Sequence, residues 1–307
     1  MTRMNSVRQV RERLLGAPED DFRLTGRAGW LGWLGPLLFT AVGGLLRFWH
    51  VGAPHKLVFD ETYYVKQGWS MVLFWYEMKA DQVLVDANQV DQHFTANDPF
   101  VWGTEGDFVV HPPLGKWLIG WGEVPFGILN SFGWRFSVAL AGTVSIFLLG
   151  RIARRLFRSD LLGTVAAALL AFDGHHFVHS RTGLLDIFVM FFGLAAFGAL
   201  LLDRDRARTV LAARVGGRRR GELSWLGPWL GWRPWRWVAG LCLGLAAGVK
   251  WSGLFFLVFF GPLSVLWDLG ARRAAGVRGW PVAWVVKDGL YAVVQLVGTA
   301  LVTYVLT

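Results

Sequence analysis

Two carboxylates stand side by side at Asp60 and Glu61, just after Phe59 and just before Tyr63 and Tyr64. Adjacent carboxylates on a helix cannot face the same way. In a turn, one can point into a site while the other is tied elsewhere. A carboxylate flanked by rings and close to a membrane boundary is partly desolvated, which suits a general base. The competing reading is structural, with Asp60 or Glu61 capping a helix that starts near residue 62. Further along comes His111-Pro112-Pro113-Leu114-Gly115-Lys116. Each Pro fixes φ and is accepted in the first turn of a helix, so this motif predicts an extended turn that leads into one. His111 could orient a carboxylate or a phosphate there, or simply cap the turn.

Cations complete the set. Arg47 and Arg135 fall at the ends of apolar runs, and Arg181 and Asp186 bracket the start of another. Lys250 sits between two short apolar runs. Ionisable groups at membrane depth are expensive and usually functional. Arg could hold a lipid-linked phosphate through its fork, and Lys as a point charge. Snorkelling to the headgroup layer is the plainer alternative. Asp173, His175 and His176 lie close together, but no full ligand set with helical spacing appears. No metal and no other cofactor is therefore expected.

Such side chains need membrane helices to position them. The 307 residues are 54% hydrophobic and 17% charged, against about 25% charged in a soluble domain. The 18 Trp suit the headgroup layer, where the indole is half wet. Spans are predicted at 30–49, 135–151, 160–178, 184–202, 236–250, 252–268 and 288–307. A shorter segment, 117–130, predicts an interfacial helix. Residues 1–28 read as a cytoplasmic N-terminal tail with a short amphipathic helix at 5–15, and lack the apolar core of a signal peptide. With that tail inside, the cytoplasmic segments hold 23 of the 31 Lys and Arg, as the positive-inside rule requires. The net charge of +9 lies in short loops between apolar runs, so nucleic acid is not an expected partner. The lone Cys242 excludes an intrachain disulfide.

The external loop 50–134 is too long to be a plain connector. It is rich in aromatics, carries ten acids including Asp98, and predicts helices at 62–79 and 114–130. The run 204–220, with Arg218-Arg219-Arg220, reads as a solvated cytoplasmic linker that touches anionic lipid. The sequence stops within the seventh apolar run, which reads as a piece of a longer protein.

Taken in order, Val58-Phe59-Asp60-Glu61-Thr62-Tyr63-Tyr64, His111-Pro112-Pro113-Leu114-Gly115-Lys116, Trp134-Arg135-Phe136, Ser180-Arg181-Thr182-Gly183-Leu184-Leu185-Asp186 and Val249-Lys250-Trp251-Ser252-Gly253 resemble the protein O-mannosyltransferase family in its bacterial, actinobacterial-type form. The likeness runs from about residue 35 to 307. It implies an all-α integral membrane protein, a multispanning C-type glycosyltransferase (GT-C) with a long structured first external loop. On this reading residues 29–307 form the transmembrane domain. The implied donor is mannose on a polyprenyl phosphate, and the acceptor a Ser or Thr hydroxyl of an exported protein. The membrane and the secretion translocon are further implied partners. Asp60 looks like the catalytic carboxylate, with Glu61 beside it. Arg47 and Arg135 match arginines that the family needs, and Lys250 is a candidate for the donor phosphate. His111, Arg181 and Asp186 complete the substrate-binding set. Family members usually have about eleven spans, more than the seven read here.

The implied chemistry is inverting. Asp60 takes the acceptor proton, and cations stabilise the departing phosphate. Two other readings stand beside it. One is a related C-type transferase moving another lipid-linked sugar to a lipid or cell-wall glycan. The other is a non-enzymatic transporter or scaffold, which would place broken helices and charges at mid-membrane, often in two matching halves. No such halves are evident here.

Overall fold

A computed structural model describes residues 6–16, 26–96, 100–218 and 222–307. Residues 1–5 and 17–25 of the expected tail, Asp98, Arg219 and Arg220 lie outside the described residues. The chain forms two compact units. Of the described residues, one comprises those within Trp30–Phe192, Leu245–Trp251 and Thr307, and the other those within 6–29, Gly193–Gly244 and Ser252–Leu306.

The first unit starts at Trp30, within α2 (Gly26–Phe48), which follows α1 (Val7–Leu15) of the second. Between α2 and α7 (Ser131–Phe157) lies the long insert. It contains α3 (Glu61–Phe74), β1 (Met78–Ala80), α4 (Gln82–Asp86), α5 (Val90–Thr95), β2 (Trp102–Gly106) and α6 (Leu114–Glu123). Both expected helices of the insert form but end early, at 74 and 123. The pair β1–β2 is antiparallel, with Met78 opposite Gly106 and Ala80 opposite Trp102. This ribbon is the one β-sheet among the described residues.

Close approach of α3 and α6 builds the floor of the insert. A Cβ on Gly120 would lie 2.3 Å from the carbonyl oxygen of Gly68, so only glycine lets these backbones meet. Trp134, fully buried on α7, ties the insert down. Its Nε1 donates to Ile128 O, and its ring packs on His55 and on buried Phe94. Lys116 is buried with Glu77, 2.6 Å apart, and also donates to the carbonyls of Val109 and His111. A buried ion pair survives only with such extra partners.

The predicted span 160–178 breaks in two, α8 (Asp160–Phe172) and α9 (Gly174–His179). Asp173 causes the break. It leaves the helical region at ψ 121° and its carboxylate accepts from His176 N, capping α9. Only the first turns of α10 (Asp186–Val215) and the last of α11 (Pro234–Val249) belong to this unit.

In the second unit, α10 continues to Val215, whereas 204–220 was expected to be a linker. The apolar stripe Ala207, Leu211, Ala212 and Val215 explains this. It packs on Val10 and Leu14 of α1 and on Ala271 of α12 (Leu254–Ala274). The last helix, α13 (Trp280–Leu306), contains two π turns, Trp284–Gly289 and Val293–Gly298. Among the described residues, four helical stretches are long and apolar enough to cross a membrane: Ser131–Phe157, Asp186–Val215, Trp251–Ala274 and Trp280–Leu306. Shorter apolar helices cover Gly32–Phe48 and Asp160–Phe172.

Candidate active site

The site begins with a tight turn ahead of α3. Phe59 adopts φ 55°, the left-handed region, and hydrogen bonds from Glu61 N to Val58 O and from Thr62 N to Phe59 O close the turn. Asp60 then occupies the N-cap position, yet its side chain makes no capping bond. Glu61 points the other way and is fully buried. Its Oε1 accepts from Arg135 Nε at 2.7 Å and from Gly183 N at 2.7 Å. Its Oε2 accepts from Arg135 Nη2 at 2.8 Å and from Val58 N at 2.9 Å. A carboxylate has about four lone-pair sites, so Glu61 has none left for chemistry. Asp60 is half-buried and receives one weak bond, from the Tyr64 hydroxyl to Oδ2 at 3.3 Å. Burial, then the charge of Asp60, raises the pKa of the Tyr64 phenol, so it remains a donor.

The arginines are similarly committed. Arg135 uses all five donors: three N–H groups bond the carbonyls of Val51, Pro54 and Lys56, and two bond Glu61. It thereby fixes both the Gly52-Ala53-Pro54 turn and the carboxylate next to Asp60. Arg47 is wholly buried and bonds the carbonyls of Gly43, Leu170 and Ala171. Its Nη2 also meets His176 Nδ1 at 2.7 Å. Arginine only donates, so this imidazole accepts at Nδ1 and carries any single proton on Nε2. Arg181 bonds the carbonyls of Leu46, Arg47, Trp49 and His50, closing the C-terminal end of α2. These three arginines hold the frame, Arg135 with every donor answered and Arg47 with all but its buried Nε.

A second left-handed residue precedes His111. Val110 has φ 60°, unusual for a β-branched side chain, and His111 N bonds Val109 O across it. Pro112 and Pro113 then lead into α6 as expected. The His111 ring lies 6.2 Å from that of Tyr64. Burial first, then Lys250 and Lys116, lower its pKa, so the ring is neutral at pH 7. Asp60, Asp186 and Lys250 all lie close enough to act on it electrostatically. Lys250 follows the end of α11 and pairs with Asp186 Oδ1 at 3.0 Å. Both partners are partly open, with side chains 27% and 50% exposed. His179 lies within reach of the same pair.

The residues named from sequence thus separate into two groups. Glu61, Arg47, Arg135 and Arg181 form a closed scaffold. Asp60, His111, Asp186 and Lys250 share an open face, with Tyr64 buried beneath it. Tyr64 was missed, although its position four residues after Asp60 puts it on the same helical face. The Glu77–Lys116 pair and the contact of His176 with Arg47 were missed too, and no local spacing signals them.

The sequence pattern of the dolichyl-phosphate-mannose-protein mannosyltransferase family matches residues 37–302. A polyprenol-phosphate-mannose–protein mannosyltransferase of Mycolicibacterium smegmatis (strain MKD8) is 40% identical over 259 residues, covering 83% of this chain and 45% of the relative. The protein of that name in Corynebacterium glutamicum is 38% identical over 265 residues, covering 85% and 46%. The chain therefore spans about half the length of the curated relatives it matches. The Saccharomyces cerevisiae protein O-mannosyltransferase Pmt1-Pmt2 complex bound to the sugar donor aligns with a TM-score of 0.60 at 16% identity, over 99% of this chain and 35% of that one. The Archaeoglobus fulgidus oligosaccharyltransferase aligns at 0.50 with 15% identity, over 90% and 34%. These likenesses establish the GT-C membrane fold.

Proposed function

The chain belongs to the dolichyl-phosphate-mannose-protein mannosyltransferase family, and on that premise we propose that it forms the catalytic half of an enzyme moving mannose from a polyprenyl phosphate to Ser or Thr hydroxyls of exported proteins. The observation that carries this reading is the contrast at the acidic pair. Glu61 is saturated by four donors, while Asp60 keeps its carboxylate for an incoming group.

In the reaction, the acceptor oxygen attacks the anomeric carbon of mannose as its proton passes to Asp60. The carbon–oxygen bond to phosphate breaks, and polyprenyl phosphate leaves with the electron pair. Attack opposite the leaving group inverts the anomeric centre. Lys250 supplies positive charge to the departing phosphate once it exchanges Asp186 for the donor. The Tyr64 hydroxyl steadies the Asp60 carboxylate, and neutral His111 lines the same face.

The orientation that suits this chemistry has the N-terminus in the cytoplasm and the Asp60 loop on the extracytoplasmic side of the cell membrane. The charge distribution between apolar runs supports it. An acceptor that is modified as it emerges there makes the secretion translocon a neighbour under this reading.

Membranes carrying the protein, incubated with labelled polyprenyl-phosphate mannose and a Ser/Thr-rich peptide, test the proposal. Label on the peptide, lost in Asp60→Asn, is the expected result. Label on lipid or glycan with a bare peptide would overturn the choice of acceptor.

A further inference from the structure

A cavity of about 410 Å³ lies in the second unit, where α11 begins. Its volume falls within the roughly 300–1,000 Å³ of small-molecule sites. Trp229, Trp232, Tyr291, Arg236, Trp237 and Lys287 contribute to its lining, and it shares no residue with the Asp60 face.

Two of these side chains hold unanswered donors. Arg236 is fully buried. Its Nη2 bonds Asp268 at 2.6 Å, but its Nη1 has no acceptor. The indole Nε1 of Trp237 is buried without one as well. Buried donors nearly always find an acceptor, so each such exception needs an explanation. Both residues stand in the first turn of α11, where the helix dipole favours an anion. Charge points the same way. The cations Arg233, Arg236, Arg272 and Lys287 are met within this cluster by the three carboxylates of Asp203, Asp268 and Asp288. Both π turns of α13 contribute to the lining, and π turns recur at functional sites.

We propose that this cavity holds the phosphate of an anionic membrane lipid, with Arg236 Nη1 and Trp237 Nε1 donating to its oxygens. Lipid is favoured over free phosphate by the aromatic surroundings. Trp232 and Tyr291 are 64% and 50% exposed, and Tyr291 stands on a helix long and apolar enough to cross the membrane. Indole and phenol rings prefer the layer where lipid phosphates lie. On the orientation proposed above, this is the cytoplasmic leaflet, the one with the anionic surface.

Native mass spectrometry of the full chain, stripped of lipid in detergent and titrated with phosphatidylglycerol, phosphatidylcholine and inorganic phosphate, tests the assignment. A single retained phosphatidylglycerol is expected, bound at least tenfold more tightly than phosphatidylcholine. Arg236→Gln should weaken it tenfold or more, the scale of a lost hydrogen bond to a charged group. Trp237→Phe removes only the indole donor and leaves the ion pairs intact, so it serves as the variant that keeps its fold, and it should weaken phosphatidylglycerol several-fold. Equal binding of both lipids, inorganic phosphate binding as tightly as phosphatidylglycerol, or indifference to Trp237→Phe would each overturn the proposal.

Discussion

Asp60 and Glu61 are neighbours of the same chemistry, and they should fail in opposite ways. Glu61→Ala removes the acceptor of four hydrogen bonds and leaves Arg135 buried with no carboxylate. Breaking a buried pair from one side costs about 3–5 kcal/mol, a large share of a total stability of roughly 5–15 kcal/mol. Asp60→Asn, by contrast, disturbs one 3.3 Å bond from Tyr64 at a half-buried position. Its stability should stay within about 0.5 kcal/mol of the parent, while transfer falls by about 10²–10⁴, the scale of a lost general base. Thermal unfolding in detergent, followed by tryptophan fluorescence, reads the first quantity, and labelled mannose transfer to peptide reads the second. The double variant Glu61→Ala/Arg135→Ala should be less unstable than the two single losses added together, because no charge is left unpaired. A Glu61→Ala protein as stable as the parent but inactive would refute this reasoning and return Glu61 to the chemistry.

Other expectations follow from the same geometry. Lys250→Gln removes the open cation and should lower transfer by about tenfold or more, with little change in melting, because its pair with Asp186 is partly solvated and exposed pairs contribute about 0–1 kcal/mol. His111 has a lowered folded pKa, so the unfolded chain takes up its proton first as pH falls below about 6.5. Stability should therefore decline from pH 6.5 downward, and His111→Gln should flatten that part of the melting profile. Glu123 is buried with neither carboxylate oxygen partnered, and burial raises its pKa far above the ordinary value. Its contribution to stability is lost as pH rises from about 4.3, the unfolded value. Glu123→Gln should therefore raise the melting temperature more at pH 8 than at pH 5.

The membrane helices were legible because a long apolar run has few other fates. The local backbone around two candidate groups was legible too, as a turn at Asp60 and as the Pro pair after His111 that leads into α6. What a group does once there was harder to read. Arg135 and Glu61 lie 74 residues apart, so nothing local reveals that they saturate each other. Arg47 and Arg181 looked available for phosphate because most of the carbonyls they bind, at the ends of α8 and α2, come within reach only in the fold. The basic run from 204 reads as a solvated loop through its many arginines. The decisive signal was the apolar stripe from Ala207 to Val215, whose partners on α1 and α12 only the fold assembles. The ribbon of three and five residues is too short for an alternating pattern to register.

The uninterrupted course of α10 has a mechanical consequence. Its 30 residues measure about 45 Å at 1.5 Å each, beyond the roughly 30 Å of a bilayer core. A loop absorbs a lost residue, whereas a helix converts it into rotation, about 100° per residue. Deleting Thr209 alone should swing Leu211, Ala212 and Val215 off their seam with Val10 and Leu14. Deleting four consecutive residues between 203 and 210 should return them almost to phase. The rod acts as a gear, and its teeth are counted in turns.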